Sequence, residues 1–102
     1  MRKYMRKTGL HGLLDKVRMT QKMFATEVGV EASAVSLWLS GKRLPTDANV
    51  DLMSRILQVE PVRLKAMFIA ENLYETYGYD ICNILVAEMP SVVAAGKESL
   101  DA

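Results

Sequence analysis

Basic side chains, the groups best suited to binding an anion, are concentrated in the first two thirds of this 102-residue chain. Residues 1–65 hold twelve of the thirteen lysines and arginines against six acids, which gives a net charge of +6. Residues 66–102 hold Lys97 against six acids, a net charge of −5, so the total of +1 conceals an asymmetry. This segregation indicates that only the front of the chain meets a polyanion, although solvated charges distributed by chance would give the same pattern.

Groups that could perform catalysis are few. One histidine, His11, and one cysteine, Cys82, are too few for a zinc site of the usual kind, and a lone cysteine cannot form an internal disulfide. Ser36 has no histidine other than His11 that could act as its base, and the sequence lacks a glycine-rich loop for phosphate. We therefore expect no enzyme, no metal, no cofactor and no small-molecule ligand, with Cys82 buried as a small apolar residue.

The composition is that of one globular domain. Apolar residues make up 50% of the chain and charged residues 25%, which excludes a mostly disordered protein. No run approaches the roughly 18 to 20 apolar residues that cross a bilayer, so we expect no membrane partner. The basic first residues are not followed by the long apolar stretch of an export signal, which favours a cytoplasmic protein.

Apolar residues recur at helical spacing along most of the chain, and the helices that they predict must position the charged groups. Leu10, Leu14 and Val17 recur at the spacing of one helix face, and Thr8 is a suitable N-cap for that helix. Similar apolar stripes follow along the chain, and no segment shows the alternation of a strand. The sequence therefore predicts an all-α fold, with five helices in the first 70 residues and one or two more behind them.

Glycine and proline set the expected helix ends. Gly78 is expected to break the fifth helix, while Pro90 and Ser91 are expected to start a last short helix that ends at Gly96. The second helix is expected from Gln21 to about Val28, the third from about Ala32 to Leu39, and a further helix from Ile81 to about Glu88. Thr46 or Asp47 is expected to open the fourth helix, and Pro61 to start the fifth.

The second and third helices carry the most informative spacing. Ala25 lies in mid-helix where the next helix must approach closely, and Gly29 makes the tight turn between the two helices. Val30 and Val35 are apolar residues placed to pack between them. Together these residues predict two short helices crossing at a steep angle, which is a helix-turn-helix.

At this point the chain resembles a known family. Residues 20–45 are similar to the phage-repressor and Cro type of helix-turn-helix, a large bacterial and phage DNA-binding family. The resemblance covers about residues 8–70 and implies a five-helix, repressor-like DNA-binding domain. The residues that carry it are Gln21, Ala25, Gly29, Val35 and Trp38.

The resemblance implies that the second helix of the pair lies in the major groove of double-stranded DNA. Ser33 and Ser36 can hydrogen-bond to several bases, and Ala32 and Leu37 can pack on a thymine methyl group. Glu31 can accept from a cytosine amino group, or serve only as a charge favoured by the helix dipole. The family more often has glutamine or arginine at these positions. The expected base-contacting residues are Glu31, Ala32, Ser33, Ser36 and Leu37.

Four further residues are expected to contact the DNA backbone. Gln21 starts the first helix of the pair, where its amide and the helix N-terminus both favour a phosphate, and Lys22 is its neighbour. The resemblance places Lys42 and Arg43 in a loop against the backbone, from which Arg43 can also reach a base edge. The alternative is that these side chains are only solvated. A basic arm over residues 1–7 can enter a minor groove, or can instead be a tail or extra helix.

The acidic last third has a different expected role. Residues 71–102 are rich in apolar side chains that a domain with its own core does not need, so we expect them to form a homodimer. Folding back on the same chain is the alternative. We divide the chain into a DNA-binding domain, residues 1–70, and a helical extension, residues 71–102.

These expectations combine into one function with two alternatives. The protein is expected to be a sequence-specific transcriptional repressor, associated with the nucleoid, that binds a palindromic operator as a homodimer. One alternative is an activator with the same DNA-binding domain. The other is an antitoxin-type protein that binds a partner protein through residues 71–102 and regulates its own gene through the front half.

Overall fold

A computed structural model of the chain describes the backbone of residues 9–101 and the side chains of residues 9–96. Thr8 and the basic arm of residues 1–7 lie outside that range. Within it the chain folds as α1 (Gly9–Val17), α2 (Gln21–Val28), α3 (Ala32–Leu39), α4 (Asp47–Leu57) and α5 (Pro61–Asp101), with no strand. The predicted all-α fold is confirmed.

Local sequence explains where the middle helices begin. The hydroxyl of Thr20 accepts a hydrogen bond from the Met23 amide at 3.1 Å, which caps α2. Thr46 caps α4 in the same way, accepting from the Asn49 amide at 3.2 Å. Pro61 starts α5, where its missing N–H would have no helical partner.

The turn between α2 and α3 has the predicted glycine corner. Gly29 adopts a φ of 84°, a left-handed conformation that favours glycine. The amides of Gly29 and Val30 both donate to the carbonyl of Ala25, at 2.8 and 2.9 Å. This turn ends α2 and directs the chain into α3, so the predicted helix-turn-helix is present.

One apolar core joins all five helices. Ala25 is almost completely buried, as expected for the point where α3 approaches α2, and Val35 and Trp38 are buried on α3. The described residues of this core are Leu10, Leu14, Phe24, Ala25, Val28, Val35, Trp38, Leu39, Val50, Met53, Leu57, Leu64 and Phe68.

The last helix has an interruption at Gly78, as predicted. Gly78 has φ 85° and ψ 173°, which divides α5 into a first arm, residues 61–77, and a second arm, residues 79–101. Leu73 and Tyr74 of the first arm and Cys82 and Leu85 of the second arm line one apolar cavity of about 160 Å³. The two arms therefore pack against each other, and Cys82 is buried between them.

The predicted division of the second arm into two helices is wrong. The helix runs through Pro90 and continues to Asp101, so a single helical segment follows Gly78. Proline removes one backbone hydrogen bond, but Ala87, Glu88 and Met89 before it are good helix formers. Gly96 does not have the positive φ of a helix-ending glycine. No helix among the described residues has the length and apolar character needed to span a bilayer.

Candidate nucleic-acid interface

The exposed face of α3 carries the residues expected at the bases. Helix geometry places Ala32, Ser33 and Ser36 on one side, because residues three and four apart are neighbours on a helix surface. All three are exposed, while Leu37, four residues beyond Ser33, is half-buried. Val35, Trp38 and Leu39 face the core instead. The structure thus brings the predicted serines and their apolar neighbours into one strip.

Glu31 precedes this strip as the N-cap residue of α3. Its backbone is extended, and its side chain makes no capping hydrogen bond. The backbone carbonyl of Glu31 accepts from the Ala34 amide at 3.0 Å, which closes the first turn. The carboxylate is exposed, so it is available to a group outside the chain.

The first turn of α2 presents Gln21 and Lys22. Both side chains are exposed. Thr20 caps the Met23 amide, whereas the amides of Gln21 and Lys22 have no acceptor among the described residues. Free amides at a helix N-terminus favour an anion, so this turn has the chemistry of a phosphate contact.

The loop after α3 is bonded back to the helix. Gly41 has φ 79°, and its amide donates to the Trp38 carbonyl at 3.2 Å. The amides of Lys42 and Arg43 donate to the Leu37 carbonyl, at 3.0 and 3.3 Å. This is a Schellman-type helix end, and it fixes the backbone of both basic residues relative to α3.

The same loop is held from outside by the first arm of α5. The amide nitrogen Nδ2 of Asn72 donates to the Gly41 carbonyl at 2.8 Å. A Cβ placed on Gly41 would lie 2.7 Å from the backbone oxygen of Glu71, so only glycine fits at this approach. The Glu71 carboxylate also accepts from the Gly9 amide at 2.7 Å, which connects the start of α1 to the same turn of α5.

Sequence reasoning missed Glu71 and Asn72 as part of this region. A single polar pair inside an amphipathic stretch gives no local signal, because its partners lie 62 and 31 residues away. No spacing in the sequence connects Gly41 with α5. In the structure Gly41 is buried and has a positive φ, and the only sequence signal for this is a glycine directly after a predicted helix.

The cations of this surface lack acidic partners among the residues that the structure describes. Lys22, Lys42 and Arg43 are exposed, and none of them forms an ion pair with another residue that the structure describes. By contrast, Lys65 pairs with Asp47 at 2.8 Å elsewhere on the surface. The described part of the chain contains no group of three or more His, Cys, Asp or Glu residues that could hold a metal ion.

Comparison with known proteins identifies one family. A family model described as helix-turn-helix matches residues 12–64, which run from α1 into the start of α5 and include all nine expected contact residues. The resemblance found in the sequence is thereby confirmed. No curated protein and no solved structure is significantly similar to the chain.

Proposed function

Because the chain belongs to the helix-turn-helix family of DNA-binding transcription regulators, we propose that it is a repressor that binds a specific double-stranded DNA sequence as a homodimer. The observation that carries this proposal is the exposed strip on α3, flanked by basic residues that form no ion pair within the described part of the chain. Occupancy of a promoter is enough to block transcription, so the mechanism needs no catalysis. The proposed site of action is the cytoplasm, at the nucleoid.

Base recognition is assigned to α3. With this helix in the major groove, the hydroxyls of Ser33 and Ser36 hydrogen-bond to base edges. Ala32 and Leu37 pack on thymine methyl groups, and the exposed carboxylate of Glu31 accepts from a cytosine amino group. Small hydroxyls discriminate between bases less strongly than a bidentate arginine does, so we expect several weak contacts rather than one dominant contact.

Backbone contacts are assigned to residues on both sides of α3. Gln21 and Lys22 bind a phosphate at the start of α2, where two helix amides lack acceptors among the described residues. Lys42 and Arg43 bind phosphates from the loop after α3. Because each such contact releases counterions, affinity should fall steeply as the salt concentration rises.

Self-association is assigned to residues 71–102, and DNA binding to residues 1–70. The support is the apolar surface of the second arm, where Ile84, Val86 and Val92 are each more than 60% exposed. A second copy would cover this surface and give a two-fold protein, which suits a palindrome with half-sites about one helical turn apart. The acidic charge of the segment keeps it away from phosphate.

The same apolar surface supports a second candidate function. An antitoxin-type protein would use it to bind a different protein and would keep the DNA-binding domain for control of its own gene. The two candidates differ in the stoichiometric partner, so size measurement of the purified chain and isolation of complexes from its source organism distinguish them.

The test of DNA recognition is selection of bound duplexes from a random pool, followed by substitution. We expect an enriched palindromic sequence. Ser33→Ala with Ser36→Ala should weaken binding to that sequence more than to random DNA, whereas Gln21→Ala or Lys42→Ala should weaken both alike. Wild-type affinity in all of these variants would show that the assigned residues are not the contacts.

A further inference from the structure

Asn72 lies on the first arm of α5, beyond the residues that match the family model. Its half-buried side chain donates from Nδ2 to the Gly41 carbonyl at 2.8 Å, a contact between residues 31 positions apart. This hydrogen bond connects the helix that carries the apolar second arm with the loop that carries Lys42 and Arg43.

The Gly41 carbonyl and the Lys42 amide belong to one planar peptide group. The carbonyl end accepts from Asn72 at 2.8 Å, and the amide end donates to the Leu37 carbonyl at 3.0 Å. Both ends of this peptide plane are therefore held, one by α5 and the other by α3. Rotation of the plane would break both hydrogen bonds together.

Packing at Gly41 leaves little alternative to this arrangement. The glycine is buried, and the backbone oxygen of Glu71 occupies the space next to its Cα. Since water has poor access to such a close approach, the Gly41 carbonyl needs a donor from the protein. Asn72 supplies that donor.

We propose that Asn72 is a positioning residue for DNA binding, which holds Lys42 and Arg43 in place for phosphate contact by fixing the peptide between Gly41 and Lys42. This inference rests on the proposed DNA-binding function and adds to it a residue outside the helix-turn-helix. In this proposal Asn72 acts through the loop that it holds, not through a contact of its own with DNA.

The test compares the salt dependence of binding to the duplex enriched by selection. Asn72→Leu keeps the approximate volume and lacks the donor, and Asn72→Ala is the second variant. Each lost phosphate contact lowers the magnitude of the log–log salt slope by about 0.9, so we expect a reduction of about one to two. The affinity deficit of the variant should then shrink by about fourfold or more between about 50 and 200 mM salt.

Two controls separate positioning from stability. Asn49→Ala changes another half-buried asparagine, on α4, to which no DNA or association contact is assigned, and should keep the wild-type slope. In a chain that already carries Lys42→Ala and Arg43→Ala, Asn72→Leu should cause no further change in slope, because the residues it positions are gone. Thermal unfolding of every variant establishes that folded protein is compared.

The outcomes are distinct. A wild-type slope in folded Asn72→Leu, or an equal further change in the Lys42→Ala/Arg43→Ala background, would overturn the positioning role and leave the proposed function intact. Loss of folding in both Asn72 variants would also overturn it, since Asn72 would then be a residue required for stability. Failure of the wild-type chain to bind any duplex would instead remove the proposed function and this inference with it.

Discussion

The described chain up to Phe68 and the second arm of α5 bury their apolar residues very differently. Of the fourteen buried apolar residues within the described range, thirteen lie at or before Phe68 and only Cys82 lies beyond it. Of the fourteen exposed large apolar residues in that range, eight lie on the second arm, between Tyr79 and Val93. The first region completes a core with its own helices, whereas the second leaves most of its apolar surface open.

Charge divides along the chain in a similar way, with the boundary near residue 65. Residues 1–65 carry a net charge of +6 and residues 66–102 a net charge of −5. Within residues 9–68 eight basic residues stand against six acids, so the first region combines a finished core with a small excess of positive charge, which suits binding of a folded domain to a polyanion. The second region combines exposed apolar residues with negative charge, and this combination is why we propose protein association there.

The largest expected effect comes from the core of the first region. Phe24 is fully buried, so Phe24→Ala should lower the free energy of unfolding by about 3–5 kcal/mol. Met23→Ala on the same helix is the control, because Met23 is 50% exposed and its truncation should change stability by less than about 1 kcal/mol. Urea unfolding measures the free energy of unfolding of both variants. Similar losses of stability in Phe24→Ala and Met23→Ala would mean that this region lacks the independent core described.

The next prediction concerns self-association, which we assign to the second region and not to the first. Ile84→Asp should raise the dimer dissociation constant at least about tenfold, or about 1.4 kcal/mol, because it places a charge on the proposed association surface. The helical content should be retained, since Ile84 is not part of the core.

Val62→Asp is the matched control for that substitution. Val62 is also exposed on α5, but it lies in the first turn, where an acidic side chain favours the helix dipole. Sedimentation of the two variants should show weakened association only for Ile84→Asp. Unchanged association in Ile84→Asp would assign the second arm to another role.

A further effect on stability concerns the contact between the loop after α3 and the first arm of α5. Gly41→Ala should destabilise the chain by about 1–3 kcal/mol, because it adds a strained positive φ and a Cβ only 2.7 Å from the Glu71 oxygen. Gly29→Ala has the positive φ without a close neighbour and should cost less. Gly12→Ala, in open space within α1, should stabilise slightly. Thermal unfolding measures the stability of the three variants. An equal change in stability in all three would contradict the close approach at Gly41.

Local sequence predicted the first region well, because its signals act over a few residues. Ala25, Gly29 and Val35 predicted the two short helices and their corner, and Thr20 and Thr46 cap α2 and α4 through hydrogen bonds to residues three positions on. The interruption of α5 at Gly78 was also predicted from the sequence. Each of these features depends on the conformation of one residue and its near neighbours.

Other features depend on tertiary contacts, or on competition between helix-forming and helix-breaking residues whose outcome the residue types alone do not determine. The bond between Asn72 and Gly41 joins distant segments, so no spacing rule reveals it. Arg18 and Gln58 end α1 and α4 with positive φ, although neither is a glycine. Pro90 was expected to start a helix and lies inside one, because a single missing hydrogen bond does not outweigh its helix-forming neighbours.

The most direct measurement is a titration of the folded chain against two labelled duplexes, the one enriched by selection and a scrambled duplex of equal length and composition. If α3 reads bases in the major groove, the enriched duplex should bind at least about a thousandfold more tightly at physiological salt. Equal affinity for the two duplexes, or binding to neither in dilute buffer, would contradict sequence-specific DNA recognition by this protein.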